Sequence, residues 1–104
     1  MGIEKFKLLD LHLKGECELT AKLEIDSSVK AVSIDFQRFE ENFYGFQMPE
    51  DVQILLRNYP QLSQRLIGCL GDFLKRKRID LPVDFSVFVR RQNIAVRQSE
   101  KLAA

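Results

Sequence analysis

The sequence predicts an α+β domain: an antiparallel β-meander, two helices packed on one face, and a closing C-terminal hairpin, in the order β-β-β-α-α-β-β. Three observations lead there. Residues 6–36 alternate apolar and polar in three runs separated by short turn sequences. Residues 49–77 change to apolar spacings of three and four, the helical period. Residues 83–96 return to alternation. Strands grouped apart from helices, rather than alternating with them one by one, place the chain in the α+β class.

In the first run Leu9, Leu11 and Leu13 face one way, and Asp10 and His12 the other. Lys14-Gly15-Glu16 reads as a turn. Cys17, Leu19, Ala21, Leu23 and Ile25 then alternate with Glu18, Thr20, Lys22 and Glu24. A three-residue loop sets Leu13 opposite Cys17 and Leu11 opposite Leu19, so the two apolar faces coincide. Asp26-Ser27-Ser28 is a second turn, and a third strand over 29–36 carries Val32, Ile34 and Phe36 on its apolar face. One face of this meander needs a cover.

Residues 37–48 show no clean period but hold Phe39, Phe43, Tyr44 and Phe46. Pro49-Glu50-Asp51 starts a helix: proline loses nothing at a first turn, and carboxylates suit the positive end of the helix dipole. Val52, Leu55, Leu56 and Tyr59 form its inner stripe, and Pro60 ends it. A second helix over about 61–77 carries Leu62, Leu66, Ile67, Leu70, Phe73 and Leu74 on one face. Gly68 and Gly71 inside it each cost about 1 kcal/mol relative to alanine, which predicts a close neighbour. After Leu81-Pro82, the residues Val83, Phe85, Val87 and Val89 read as a strand, Arg91-Gln92-Asn93 as a turn, and Ile94-Ala95-Val96 as a last strand.

The 104 residues form one domain over 1–100, and Lys101-Leu102-Ala103-Ala104 reads as a vector-derived tail. An apolar fraction of 45% with 30% charged residues argues against disorder. Cys17 and Cys69 lie on apolar stripes and read as buried thiols of a reducing cytoplasm. The first residues show no apolar run of signal-peptide or membrane-span length.

No combination of residues points to catalysis, a cofactor or a metal. One His and two Cys lack ligand spacing. In the expected register His12 and Cys17 lie on opposite faces. Glu40-Glu41 and Glu50-Asp51 are adjacent rather than opposed across a cleft. Gly68 and Gly71 sit within a helix and cannot cradle a phosphate.

Charge is more informative. Residues 1–52 carry a net charge of −5 and residues 53–104 a net of +6. The expectation is a small cytoplasmic, non-catalytic interaction or regulatory module that binds another protein. Phe39, Phe43, Tyr44 and Phe46 would anchor the contact, and Arg76, Arg78, Arg90 and Arg91 would steer it. Residues 36–46 admit three readings: a lid packed over the sheet, an exposed docking patch, or the wall of a small-molecule pocket. Association between copies is open. The alternative from another class is nucleic-acid binding by the basic C-terminal half, led by Lys75-Arg76-Lys77-Arg78.

Overall fold

Alternation over the first forty residues becomes antiparallel sheet, and the sheet runs further than its periodicity announces. In the computed structural model, which describes residues 2–40 and 43–103 (backbone alone at Glu40 and 98–103), the meander has four strands. These are β1 (Phe6–Leu13), β2 (Glu18–Ile25), β3 (Ser28–Glu40) and β4 (Phe43–Gln47). Then come α1 (Glu50–Arg57), α2 (Pro60–Leu74), a two-residue β5 (Val83–Asp84) and α3 (Ser86–Ala103). The sheet order is β4-β3-β2-β1-β5, antiparallel throughout. The fold is α+β, as predicted.

The helices cover one face. Leu8, Leu19, Leu23 and Ile34 from the strands meet Val52, Leu62, Leu66, Leu70 and Val89 from the helices in a single apolar core. The other face, with Lys7, Lys22, Ser33 and Asp35 among its residues, has no helix over it. α1 is tied to the sheet by the Lys30–Asp51 ion pair. The N-terminal segment is tied to α3. The Ile3 N–H donates to the Tyr59 hydroxyl, Tyr59 donates to Asn93 Oδ1, and Asn93 Nδ2 returns to the Ile3 carbonyl, all at 2.9–3.0 Å. The buried Phe6 N–H donates to Ser86 Oγ at 3.1 Å, and the Phe6 and Phe85 rings meet edge to face at 6.4 Å.

Several expected details change. The β1–β2 loop spans Lys14 to Cys17, so Leu13 faces Leu19 and Leu11 faces Ala21. A shift of two residues keeps Leu11 and Leu13 on the same face as Leu19 and Ala21. A bulge at Leu9 resets β1: Phe6, Leu8 and Leu11 enter the core, Leu9 does not, and Leu13 is 60% exposed. Cys17 is exposed rather than buried, because it precedes β2; Cys69 is half-buried, and both thiols are free. Residues 37–40 and 43–47, without a clean period, are strand. Glu41 of the Glu40-Glu41 pair lies outside the described residues.

The closing hairpin is replaced by β5 and α3. Val83, Phe85, Val87 and Val89 alternate, but Phe85, Phe88 and Val89 also fit the helical spacing, and that period wins. Asp84 starts the helix by accepting the Ser86 N–H at 2.8 Å. Val87, Ile94 and Val96 are therefore left exposed. α2 ends three residues before the expected position. Arg76 takes a left-handed φ of 59°, its N–H bonding the Phe73 carbonyl at 3.1 Å and the Lys77 N–H bonding that of Asp72 at 2.9 Å, a Schellman cap. Gly68 and Gly71 have open space where a Cβ would sit, so neither serves a close approach.

Two predictions follow from these elements. Gly68→Ala adds a methyl into open space within a helix, so it should raise unfolding stability by about 1 kcal/mol in urea titration. The Ser86 hydroxyl and amide, then Lys7 and Arg90, hold the Asp84 carboxyl below its ordinary 3.8. A lowered carboxyl stabilises the fold above the unfolded-state value and loses that contribution as pH falls through the folded one. The stability gap between wild type and Asp84→Asn should thus be constant above about pH 5 and shrink below 3.8.

Candidate protein-binding surface

β3 is longer than its neighbour. Glu18, the first residue of β2, lies opposite Asp35, so β3 runs on past the end of β2. β4 pairs with β3 only between Asp35 and Glu40. The two form a ribbon that projects beyond the rest of the sheet, and it carries most of the aromatic segment.

The ribbon has two unlike faces. Phe36, Tyr44 and Phe46 continue the core side: Phe36 meets Tyr44 edge to face at 6.2 Å, and Tyr44 lies 6.5 Å from Phe46. Phe36 and Phe46 pack against the edge of the core and are half-buried. Phe39, Phe43 and Gly45 share the opposite, uncovered face. Phe39 and Phe43 are 61% and 63% exposed, their rings 6.2 Å apart. A register shift between Arg38 and Glu40 sets Phe39 over Gly45 so closely that a Cβ at Gly45 would lie 2.5 Å from Phe39 Cε2. The ring thereby fills the space a strand glycine leaves, while its other side stays in water.

The lid and docking readings therefore divide between the two faces. Phe36 and Phe46 extend the core cover; Phe39 and Phe43 do not. A groove of about 520 Å³ runs along the step where β2 ends, lined by Cys17, Asp35, Phe36, Phe39 and Gly45. A wider groove of about 680 Å³ is lined by Glu4, Arg57, Asn58, Asn93 and Arg97. There Tyr59 and Asn93 spend their polar atoms on Ile3, and Arg97 lies 3.9 Å from Glu4.

The four arginines are elsewhere. Arg76 and Arg78 follow α2, with Arg78 3.6 Å from Asp80. Arg90 and Arg91, expected on a hairpin, project from α3 instead. Arg91 and Arg65 lie 5.9 and 5.3 Å from the Phe88 ring centre, so this arginine pair brackets an aromatic of its own. Arg90 faces Asp84 on β5, at the opposite end of the sheet from β4. Four interstrand steps of about 4.8 Å put roughly 19 Å between those edges. Arg90 and the ribbon thus stand toward opposite edges of the sheet.

Sequence reasoning included Phe36 and Gly45 in the segment 36–46 but named neither among the contact residues. The available signal was the period of two linking Phe36, Tyr44 and Phe46, hidden by the shift at Phe39. Among the described residues, no group of three or more His, Cys, Asp or Glu converges, and no helix is long and apolar enough to cross a membrane.

Gly45→Ala should destabilise the wild type by about 1 kcal/mol but stabilise a Phe39→Ala background, because the obstructing ring is gone. A denaturation double-mutant cycle without coupling would disprove that contact. Set against known proteins, the chain matches no family model and no curated protein.

Proposed function

We propose that this chain is a small, non-catalytic interaction module that docks another protein through the aromatic face of the β3–β4 ribbon. The observation that carries the reading is the exposed Phe39–Phe43 pair on a projecting ribbon, on the sheet face that no helix covers. Large rings left in water on a rigid backbone are the chemistry of an interface anchor, since they bury much area with little loss of side-chain freedom. Gly45 supports the same reading: it lets Phe39 lie flat, so one ring both packs and presents a surface. Arg76, Arg78, Arg90 and Arg91 act at longer range, shaping the approach of an acidic partner rather than touching it beside the aromatics. The module works in the reducing cytoplasm, with Cys17 and Cys69 as free thiols.

Nucleic-acid binding by the basic half has less support. Lys77 lies 3.7 Å from Asp72, Arg78 3.6 Å from Asp80 and Arg97 3.9 Å from Glu4, so part of the positive charge is answered within the chain. Arg65 and Arg91 flank Phe88, a half-buried ring rather than an exposed stacking platform.

Pull-down from nuclease-treated host lysate should separate these readings. Wild type should retain a stoichiometric protein that Phe39→Ser/Phe43→Ser loses, with unfolding stability changed by less than about 1 kcal/mol. Identical capture by both proteins would overturn the docking face. Loss of all bound material on nuclease treatment, with Arg78→Glu abolishing capture, would transfer the function to the basic half.

A further inference from the structure

The sheet has two edges, and they are built differently. At one end β5 covers only Lys7 and Leu8 of β1. Beyond it, β1 bulges at Leu9, turns the Asp10 carboxylate onto the Leu11 N–H at 2.9 Å, and carries His12 beside Asp10. Bulges and charges of this kind discourage another strand from pairing. At the other end, β4 reads Phe43-Tyr44-Gly45-Phe46-Gln47: no charge, no proline and no bulge of its own.

Hydrogen-bond parity shows what that edge presents. The Phe36 N–H bonds the Cys17 carbonyl at 2.9 Å, so the main-chain groups of Phe36 point toward β2. Neighbours in a strand point oppositely, so Asp35 and Gln37 point toward β4 and meet Gln47 and Gly45. Tyr44 and Phe46 then turn their N–H and C=O groups outward. Among the described residues, no bond takes them up.

We infer that this edge pairs with the same edge of a second copy, antiparallel about a two-fold axis at Gly45, joining two five-stranded sheets into one. The inference concerns the edge of the ribbon and goes beyond the docking reading, which concerns its face. The register is self-complementary. With Gly45 opposite Gly45 of the copy, Tyr44 stands opposite Phe46 of the copy, and two such pairs exchange four main-chain bonds. Gly45 falls at the closely spaced, non-bonded position, where a residue without a side chain fits best. On the core side, each cross-strand row then reads Phe36, Phe46, then Tyr44 and Arg38 of the copy, an aromatic ladder ending in a cation. Among the described residues of β4, no like charges stand opposite each other. The two Arg38 residues lie in different rows on strands about 14 Å apart, beyond the screening length of about 8 Å. On the uncovered face, both Phe39–Phe43 pairs flank the axis, so the dimer would present one doubled aromatic surface. Five-residue strands make a small interface, which sets the expected dissociation constant on the order of ten micromolar.

The test is sedimentation combined with residue-resolved amide exchange on the wild-type chain. The mass should double between about 1 μM and about 1 mM, equally at about 50 and about 500 mM salt. Gly45 and Gln47 amides should be protected at every concentration. Those of Tyr44 and Phe46 should slow at least about tenfold where dimer exceeds about 90%. Tyr44→Ala removes the ring and Tyr44→Pro removes the ring and the outward N–H, so a folded Tyr44→Pro should dimerise about 30-fold more weakly than Tyr44→Ala, two bonds being lost at about fivefold each. Phe39→Ser/Phe43→Ser should still dimerise while losing its lysate partner, which keeps the two readings separate. A monomer at about 1 mM, a dimer whose Tyr44 and Phe46 amides exchange freely, a dimer dissolved by salt, or one lost in the Phe39/Phe43 variant would overturn the proposal.

Discussion

The length of β3 relative to β2 governs both the fold and its candidate surface. Residues 28–35 of β3 pair with β2 and present Val32 and Ile34 to the core. Its last residues have β4 alone as a strand partner. One strand thus belongs to two structures: a sheet stabilised by burial on one side, and a ribbon whose two faces meet different surroundings. If β2 began earlier, the residues after Asp35 would lie inside the sheet. The Phe39–Phe43 pair would then sit among polar neighbours instead of standing clear of them.

The rest of the architecture supplies what that ribbon lacks. A two-stranded ribbon is marginal in water by itself. This one is anchored where Phe36 and Phe46 rejoin the core and where α1 starts immediately beyond β4. The opposite end of the sheet is secured by polar contacts spanning the chain: Phe6 to Ser86, and Ile3 to Tyr59 and Asn93. These matter because β5 is too short to hold an edge by its own ladder. Buried N–H groups such as that of Phe6 would be costly unpaired, so α3 completes the sheet chemically as well as covering it.

Charge plays a less concentrated part than its distribution along the chain implies. The acidic and basic halves touch where Arg97 reaches across to Glu4, whereas Lys30 and Asp51 pair within the acidic half. Exposed pairs of this kind contribute little stability. Their consequence is for recognition, since they reduce the field that the remaining arginines project. Arg91 is further occupied above Phe88. Arg90, near β5, stands at the sheet edge opposite the aromatic ribbon.

By itself, the sequence determined the α+β class, the one-sided meander, the start of α1 just after Pro49 and the inner stripe of α2 apart from Ile67, which is exposed. Each of these rests on local periodicity or on the fixed geometry of proline, which act over a few residues wherever the chain goes. It also singled out the aromatic residues later found on the ribbon. The tertiary structure decided the rest. Residues 83–96 satisfied both strand and helix periods; packing of Phe85 and Val89 into the core resolved those from Ser86 onward as helix and left only Val83–Asp84 as strand. The bulge at Leu9 exchanged Leu8 for Leu9 in the core, a choice set by pairing with β2 rather than by β1 alone. Exposure of Phe39 and Phe43 depends on where a neighbouring strand ends. That is a relation between residues far apart in the chain, and no local pattern encodes it.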